Sequence, residues 1–196
     1  MTIITSSNDY KLRPLVESDQ SFILECLQDF PVGSNTTYQR QNEFANMLYV
    51  TGGYAKATVK AGNKCSLTVV LEKTDGTKLG FQHYDFANKV VTLKMGVVHP
   101  SHRGNKYSTA YLMLGGALCY TELTCTGAVL ELVDTYNSLA DLWRPTISAD
   151  ETQRTTDNRF GDGQTYTLNK ITVTAAEHET YRAAHSTWGS ITYSVS

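Results

Sequence analysis

The polar and apolar positions change period several times along the chain, and each period implies an element. Tyr10-Lys11-Leu12-Arg13-Pro14-Leu15 alternates and predicts a short strand closed by a turn. Phe22, Ile23, Cys26, Leu27 and Phe30 then recur at helical spacing, with Ser18 placed as N-cap and Asp19 in the first turn. Pro31-Val32-Gly33-Ser34-Asn35 breaks that helix. A second helix is expected from Thr37 to about Val50, with Phe44, Met47 and Leu48 on one face, and Gly52-Gly53 ends it.

The period then drops to that of strands. Residues 65–71, 78–86 and 89–98 read as an antiparallel meander, with Thr74-Asp75-Gly76-Thr77 as an Asp-Gly hairpin turn and Ala87-Asn88 as a second tight turn. After a turn over 99–105, a long helix is expected to about Leu123. Gly115-Gly116 in its middle costs about 2 kcal/mol of helix propensity against alanine, which close backbone packing would explain. Residues 127–133 form an apolar strand and 136–143 a short helix, so strand, helix and strand across 89–133 make one parallel crossover in an otherwise antiparallel sheet. Residues 144–164 are polar and read as a long surface loop. A strand over 166–173 follows, then a helix over about 175–186 opened by the capping box Thr174-Ala175-Ala176-Glu177, and a last strand over 190–195.

Composition narrows the class. The chain has 196 residues, 41% hydrophobic and 18% charged, which fits one packed domain over 1–196 and excludes a disordered or collagen-like chain. A net charge of -2 and a pI near 6.2 supply no basic field for nucleic acid. The N-terminal residues lack the charge and apolar core of a signal peptide, and the apolar run 109–120 is too short to cross a bilayer. Cys26, Cys65, Cys119 and Cys125 form no C-x-x-C pair, so they read as reduced, mostly buried thiols of a cytoplasmic protein without a metal site.

The chemistry concentrates in Met95-Gly96-Val97-Val98-His99-Pro100-Ser101-His102-Arg103-Gly104-Asn105-Lys106-Tyr107-Ser108. A strand ends, a turn containing Arg-Gly follows, and a helix begins. The first turn of a helix has unpaired N–H groups and the positive end of a dipole. Backbone amides of residues 103–108 could therefore cradle a pyrophosphate, and Gly104 lets the chain come close to it.

This segment resembles the central motif of the GNAT superfamily, the acyl-CoA-dependent N-acetyltransferases, which reads Val-x-Pro-x-x-Arg-Gly-x-Gly-x-Gly/Ala. Val98, Pro100, Arg103 and Gly104 match it, and the order of elements over residues 10–143 fits as well. The resemblance implies a mixed α/β fold: a mostly antiparallel central sheet with helices on both faces, its fourth and fifth strands (89–98 and 127–133) splayed apart. It implies acetyl-CoA as co-substrate, held by Val98, Arg103, Gly104, Asn105, Lys106, Tyr107 and Ser108, with Asn137 near the coenzyme. It also implies direct transfer of the acetyl group to a primary amine of a small molecule or a protein, and relatives that often dimerise. The chain departs from the pattern at Lys106 and Ser108, where the family has small residues. It also carries Arg144 where many members place a tyrosine acid, and from about residue 144 it follows the family no further.

Direct transfer needs an oxyanion donor, for which the resemblance offers a strand-four N–H near Val98. It also needs a base, because a free amine has a pKa of about 10.4. Glu131 interrupts an apolar strand and is the first candidate, with a structural salt bridge as its other role; Asp134, or else a helix cap, is the second. Tyr107, Tyr111 and Tyr136 are candidate proton donors to the leaving thiolate. Strand alternation puts His83 and Asp85 on one face and Tyr84 on the other, lining an acceptor cleft or a solvated face. His99 and His102 read as capping histidines rather than metal ligands. Two further readings stay open: a catalytically inactive GNAT-like domain that binds a protein partner, and a different α/β domain that only mimics the motif.

Overall fold

A computed structural model describes residues 2–6, 9–29, 37–105, 107–133, 150–157, 165–184 and 191–195. The meander expected from the alternation is present as β3 (Cys65–Lys73), β4 (Lys78–Ala87) and β5 (Val90–Val98). Its first hairpin turns at Gly76, whose φ of 92° suits glycine, while Asp75 Oδ1 accepts the Thr77 N–H at 2.8 Å. The second turns one residue later than expected. Asn88 and Lys89 take φ of 53° and 61°, the left-handed pair of a type I′ turn.

Before the meander lie β1 (Thr2–Ser6), β2 (Tyr10–Pro14), α1 (Gln20–Cys26), α2 (Thr37–Gly52) and α3 (Lys56–Lys60). After it come α4 (Tyr107–Gly116), continued by a π-helical turn Ala117–Glu122, then β6 (Gly127–Val133), β7 (Asp150–Asp157), β8 (Thr165–Thr174), α5 (Ala175–Ala184) and β9 (Ile191–Val195). The described strands form one sheet in the order β7-β8-β6-β5-β4-β3-β2-β1-β9, in which β5 and β6 are the parallel pair.

Both faces of the sheet are covered, which is why β3 is buried from Leu67 to Glu72. On one face Leu67, Val69, Leu71, Tyr84 and Phe86 pack with Tyr111, Leu114 and Leu118 of the α4 segment. On the other, Val70, Phe81 and Val97 pack with Phe22, Ile23 and Cys26 of α1 and Phe44 and Met47 of α2. A third cluster joins Met113 of α4 and Tyr181 of α5 to Leu130, Ile171 and Val173 of β6 and β8. The glycine pair of α4 has its reason here: a Cβ on Gly115 would lie 2.5 Å from Tyr84 Oη, and one on Gly116 would lie 1.7 Å from His178 Nε2.

Several expectations need correction. Ser18 is not the cap of the first helix: a 3₁₀ turn, Glu17–Asp19, precedes α1, and Asp19 Oδ2 accepts the Val16 N–H at 3.0 Å. Asp19 is fully buried because Arg13 and Lys78 both pair with it, at 2.7 Å each. The loop expected over 144–164 contains β7, a polar edge strand in register with β8 from Asp150↔Thr172 to Asp157↔Thr165. Polarity hid it, since an edge strand is held by its backbone and need not alternate. The last strand pairs within its own chain, antiparallel to β1, which the pattern did not reveal. The capping box is realised: Glu177 Oε2 accepts the Thr174 N–H at 2.7 Å, and Thr174 Oγ1 accepts the Glu177 N–H at 3.2 Å. The helix expected over 136–143 lies outside the described residues.

Candidate functional site: the gap between β5 and β6

On its β4 side, β5 is paired from Val90 to Val98. On its β6 side the ladder runs only from Val90↔Gly127 to Leu93↔Leu130, although β5 continues for five residues and β6 for three. The cause is visible in the β4 register, where His83 pairs with Met95 and Tyr84 with Leu93, so Lys94 is an extra residue. A bulge bends its strand and increases the local twist. It also reverses the faces: Val91 and Leu93 pack in the α4 cluster, whereas Met95 and Val97 pack with α1 and α2. The splayed pair implied by the GNAT resemblance is therefore present, and it starts at the Leu93↔Leu130 rung.

Backbone alternation then equips the open edge. The His99 N–H bonds Leu79 O on the β4 side at 2.8 Å, so the N–H groups of Val98 and Gly96 turn toward the gap. Val98 O is held by Arg103, whose Nε donates to it at 3.2 Å across the turn. This places the exposed Arg103 at the mouth of the gap.

The turn itself is rigidly made. Pro100–His102 is a 3₁₀ turn capped by His99, whose Nδ1 accepts the Ser101 N–H at 3.3 Å. His99 stacks on Phe22 of α1, with centroids 5.6 Å apart, and its Nε2 meets Glu25 Oε2 at 3.1 Å. His99 thus caps and packs the turn, while the His102 ring lies against those of His99 and Tyr107; the described residues hold no cluster of three metal-ligating side chains. Gly104 has a φ of 81° and nothing within 4 Å of a would-be Cβ, so glycine is needed there for the backbone and the space above it is open. The first-turn amides of the ten-residue α4 follow directly.

Several groups of the motif bond or pack within the protein itself. The Arg103 N–H donates to Pro100 O at 3.4 Å, so it belongs to the 3₁₀ turn rather than to an anion cradle. The Asn105 side chain donates to His102 O and Arg103 O, at 3.1 and 3.3 Å, and so closes the turn. Tyr107 packs edge-on against Tyr10 of β2, centroids 6.0 Å apart, away from the β5–β6 gap in sheet order. Ser108 lies in the first turn of α4. Glu131 occupies a β6 position in register with Lys170 of β8, one residue past the last rung. Lys106, Asp134, Tyr136, Asn137 and Arg144 lie outside the described residues.

The polar groups beneath the gap are already engaged. Tyr84 donates to Gln82 Oε1, Tyr111 to Val97 O at 3.0 Å, and Tyr120 to Val173 O at 2.6 Å. Burial raises the hydroxyls of Tyr84 and Tyr111 well above their ordinary range. His178 of α5, which the sequence reading missed, is buried with its Nε2 3.2 Å from Leu112 O. Burial lowers its pKa, which favours the neutral imidazole. Its only signal was a histidine on the face of a capped helix. His83 and Tyr84 do point to opposite faces, and His83 is half-buried, with Nδ1 2.8 Å from Thr68 Oγ1. Burial also raises the thiols: Cys26 is pushed up to about 12, Cys125 to about 11 and Cys119 well above its ordinary value. None is a ready nucleophile at neutral pH.

No protein-family model matches the chain, and no curated protein matches it in sequence. Solved structures match in shape. One is a spermidine N-acetyltransferase, a chimera of SpeG from Vibrio cholerae and hSSAT: TM-score 0.66, 12% identity, 87% of this chain and 98% of that one.

The chain has the GNAT fold.

A second GNAT neighbour is the Vibrio cholerae spermidine N-acetyltransferase in complex with CoA and spermine, with TM-score 0.62, 10% identity, and coverage of 88% and 99%. The likeness extends past residue 143, where the motif resemblance stopped, because shape is kept after the residues that carry a sequence pattern have changed.

Proposed function

We propose that this chain transfers an acetyl group from acetyl-CoA directly to a primary amine of a small molecule or a protein. The observation that carries the reading is the ladder between β5 and β6, which stops at Leu93↔Leu130 below a turn that presents Gly104, Arg103 and the start of α4. An anionic head at the turn and an arm lying along the open edge of β5 fit that shape. The Arg103 guanidinium and the α4 amides would hold the pyrophosphate, and the Val98 and Gly96 N–H groups would hold the arm. From Val98 back to Leu93 is about 17 Å at roughly 3.3 Å per residue. The reacting carbonyl is therefore assigned to the bulge, and Val98 to the arm rather than to the oxyanion.

In the transfer the neutral amine nitrogen bonds to the thioester carbon, the C–S bond breaks, and the thiolate leaves. The raised thiols of Cys26, Cys119 and Cys125 support direct attack over a cysteinyl intermediate. Glu131, one residue past the last rung, is the carboxylate we assign to the amine proton. The neighbour that binds CoA with spermine supports an amine acceptor.

The test is isothermal titration of the whole protein with acetyl-CoA. Micromolar binding is expected, and Arg103→Glu should weaken it at least tenfold. No binding at millimolar coenzyme would sink the reading. The engaged hydroxyls of Tyr84, Tyr111 and Tyr120 favour one other reading, a binding module without turnover. Thiol release in an amine screen separates the two.

A further inference from the structure

A cleft opens beneath the last rung of the β5–β6 ladder, and nothing in the reading above uses it. Leu93 and Leu130, the two residues of that rung, line it. Ala128 of β6 and Gly115 and Gly116 of α4 line it too, with Tyr84 and His178 at its sides. The glycines bring the helix against Tyr84 and His178 and put no side chain of their own into the space.

The chemistry of the lining is one-sided. Among the described residues, no Asp, Glu, Lys or Arg lines the cleft. The polar side chains present bond to the protein: Tyr84 to Gln82, Tyr111 to Val97 O, Tyr120 to Val173 O and His178 to Leu112 O. Among the described residues, what faces the cleft is mostly aliphatic carbon, glycine backbone and aromatic ring, with the Cys119 thiol and the Gln82 amide. A polar or charged occupant would lose its water and gain few partners there. An alkyl chain would gain about 0.8 kcal/mol per buried methylene, roughly a fourfold change in binding.

We propose that this cleft receives the acyl chain of the donor, so that the protein takes straight-chain acyl-CoA donors longer than acetyl. The proposal rests on the coenzyme reading, which puts the thioester at the bulge, next to the Leu93↔Leu130 rung where the cleft begins. The transfer itself is unchanged. The N–C bond forms, the C–S bond breaks, the thiolate leaves as CoA, and the amine proton goes to the base. Only the chain on the carbonyl differs.

The experiment is titration of the whole protein with CoA, acetyl-CoA, propionyl-CoA and butyryl-CoA under one condition. Each added methylene is expected to tighten binding about three- to fourfold. If CoA binds but the three acyl donors bind within twofold of one another, or weaken with length, the cleft is not an acyl site and the proposal falls while the coenzyme reading stands. If CoA itself does not bind, the coenzyme reading falls first and takes the proposal with it. Ala128→Leu fills the cleft from the β6 side and should weaken butyryl-CoA about tenfold while leaving CoA within twofold. Equal weakening of CoA and butyryl-CoA would place the chain elsewhere. The series on the unaltered protein decides the matter even if that variant does not fold.

Discussion

Along its β4 edge, β5 is paired from Val90 to Val98; along its β6 edge it is paired only from Val90 to Leu93. The first edge belongs to a tightly tied half of the molecule. Between β4 and β5 the chains approach so closely that a Cβ on Gly80 would lie 2.1 Å from Val97 O and 1.9 Å from Tyr111 Oη. Farther along the meander Asp19 draws Arg13 of β2 and Lys78 of β4 together, and Glu72 of β3 joins them through Arg13 and Lys11. The second edge gives up its ladder from Lys94 onward. One strand thus serves folding on one side and runs on past the end of its ladder on the other. A single inserted residue makes the difference.

If that division is right, damage to the closed side should cost stability, and damage at the open side should cost binding. The largest loss is expected for Asp19→Ala, which leaves two cations at a buried site without their carboxylate. About 3–5 kcal/mol should disappear in urea unfolding. The same carboxylate sets an acid limit. Burial would raise its pKa, but hydrogen bonds from Arg13, Lys78 and the Val16 N–H outweigh that and bring it from 3.8 to about 2. A depressed carboxylate stabilises the fold above its unfolded pKa, and that stability is lost as pH falls from about 4 toward 2, to the extent of about 2 kcal/mol. Acid titration of the wild type against Asp19→Ala should show this difference shrink by about 2 kcal/mol as pH falls through about 2; a constant difference would remove Asp19 ionisation as the cause.

Next in size is Gly80→Ala, which forces β4 away from Val97 O and should cost about 1–3 kcal/mol. Coenzyme binding should fall with it, because Val97 sits in the strand that carries the gap. Tyr111→Phe removes one buried hydrogen bond to that same carbonyl and should cost about 1 kcal/mol. Arg103→Glu should be the smallest in stability, within about 0.5 kcal/mol, since Arg103 is exposed. If it destabilised the fold as much as Gly80→Ala, its effect on coenzyme binding would no longer separate the two edges.

Much of this was legible in the chain because it is written in local chemistry. The Asp-Gly hairpin, the Thr174–Glu177 capping box and the capping histidine at the head of the Pro100–His102 turn each depend on residues within three or four positions of one another. The Gly115-Gly116 pair announced a close approach, though not what approaches: Tyr84 and His178 come from β4 and α5. The polar edge strand β7 and the strand β1 escaped the pattern because backbone pairing with a distant strand, not side-chain alternation, defines them. Asn105 and Tyr107 were legible as members of the motif, but not the packing of their side chains. Their partners, the turn carbonyls and Tyr10, could be known only from the folded turn.

Local chemistry set most of the elements and the strand–turn–helix around Gly104, because helix and strand periods, caps and left-handed glycines are fixed by neighbouring residues. Contacts between distant elements set where the β5–β6 ladder stops, which face Met95 and Val97 take, and the cleft beneath the last rung, which no charged side chain of the described residues lines. A bulge is a mismatch between two strands, and a cleft is what several packed elements leave unfilled, so neither exists until the distant parts of the chain have met.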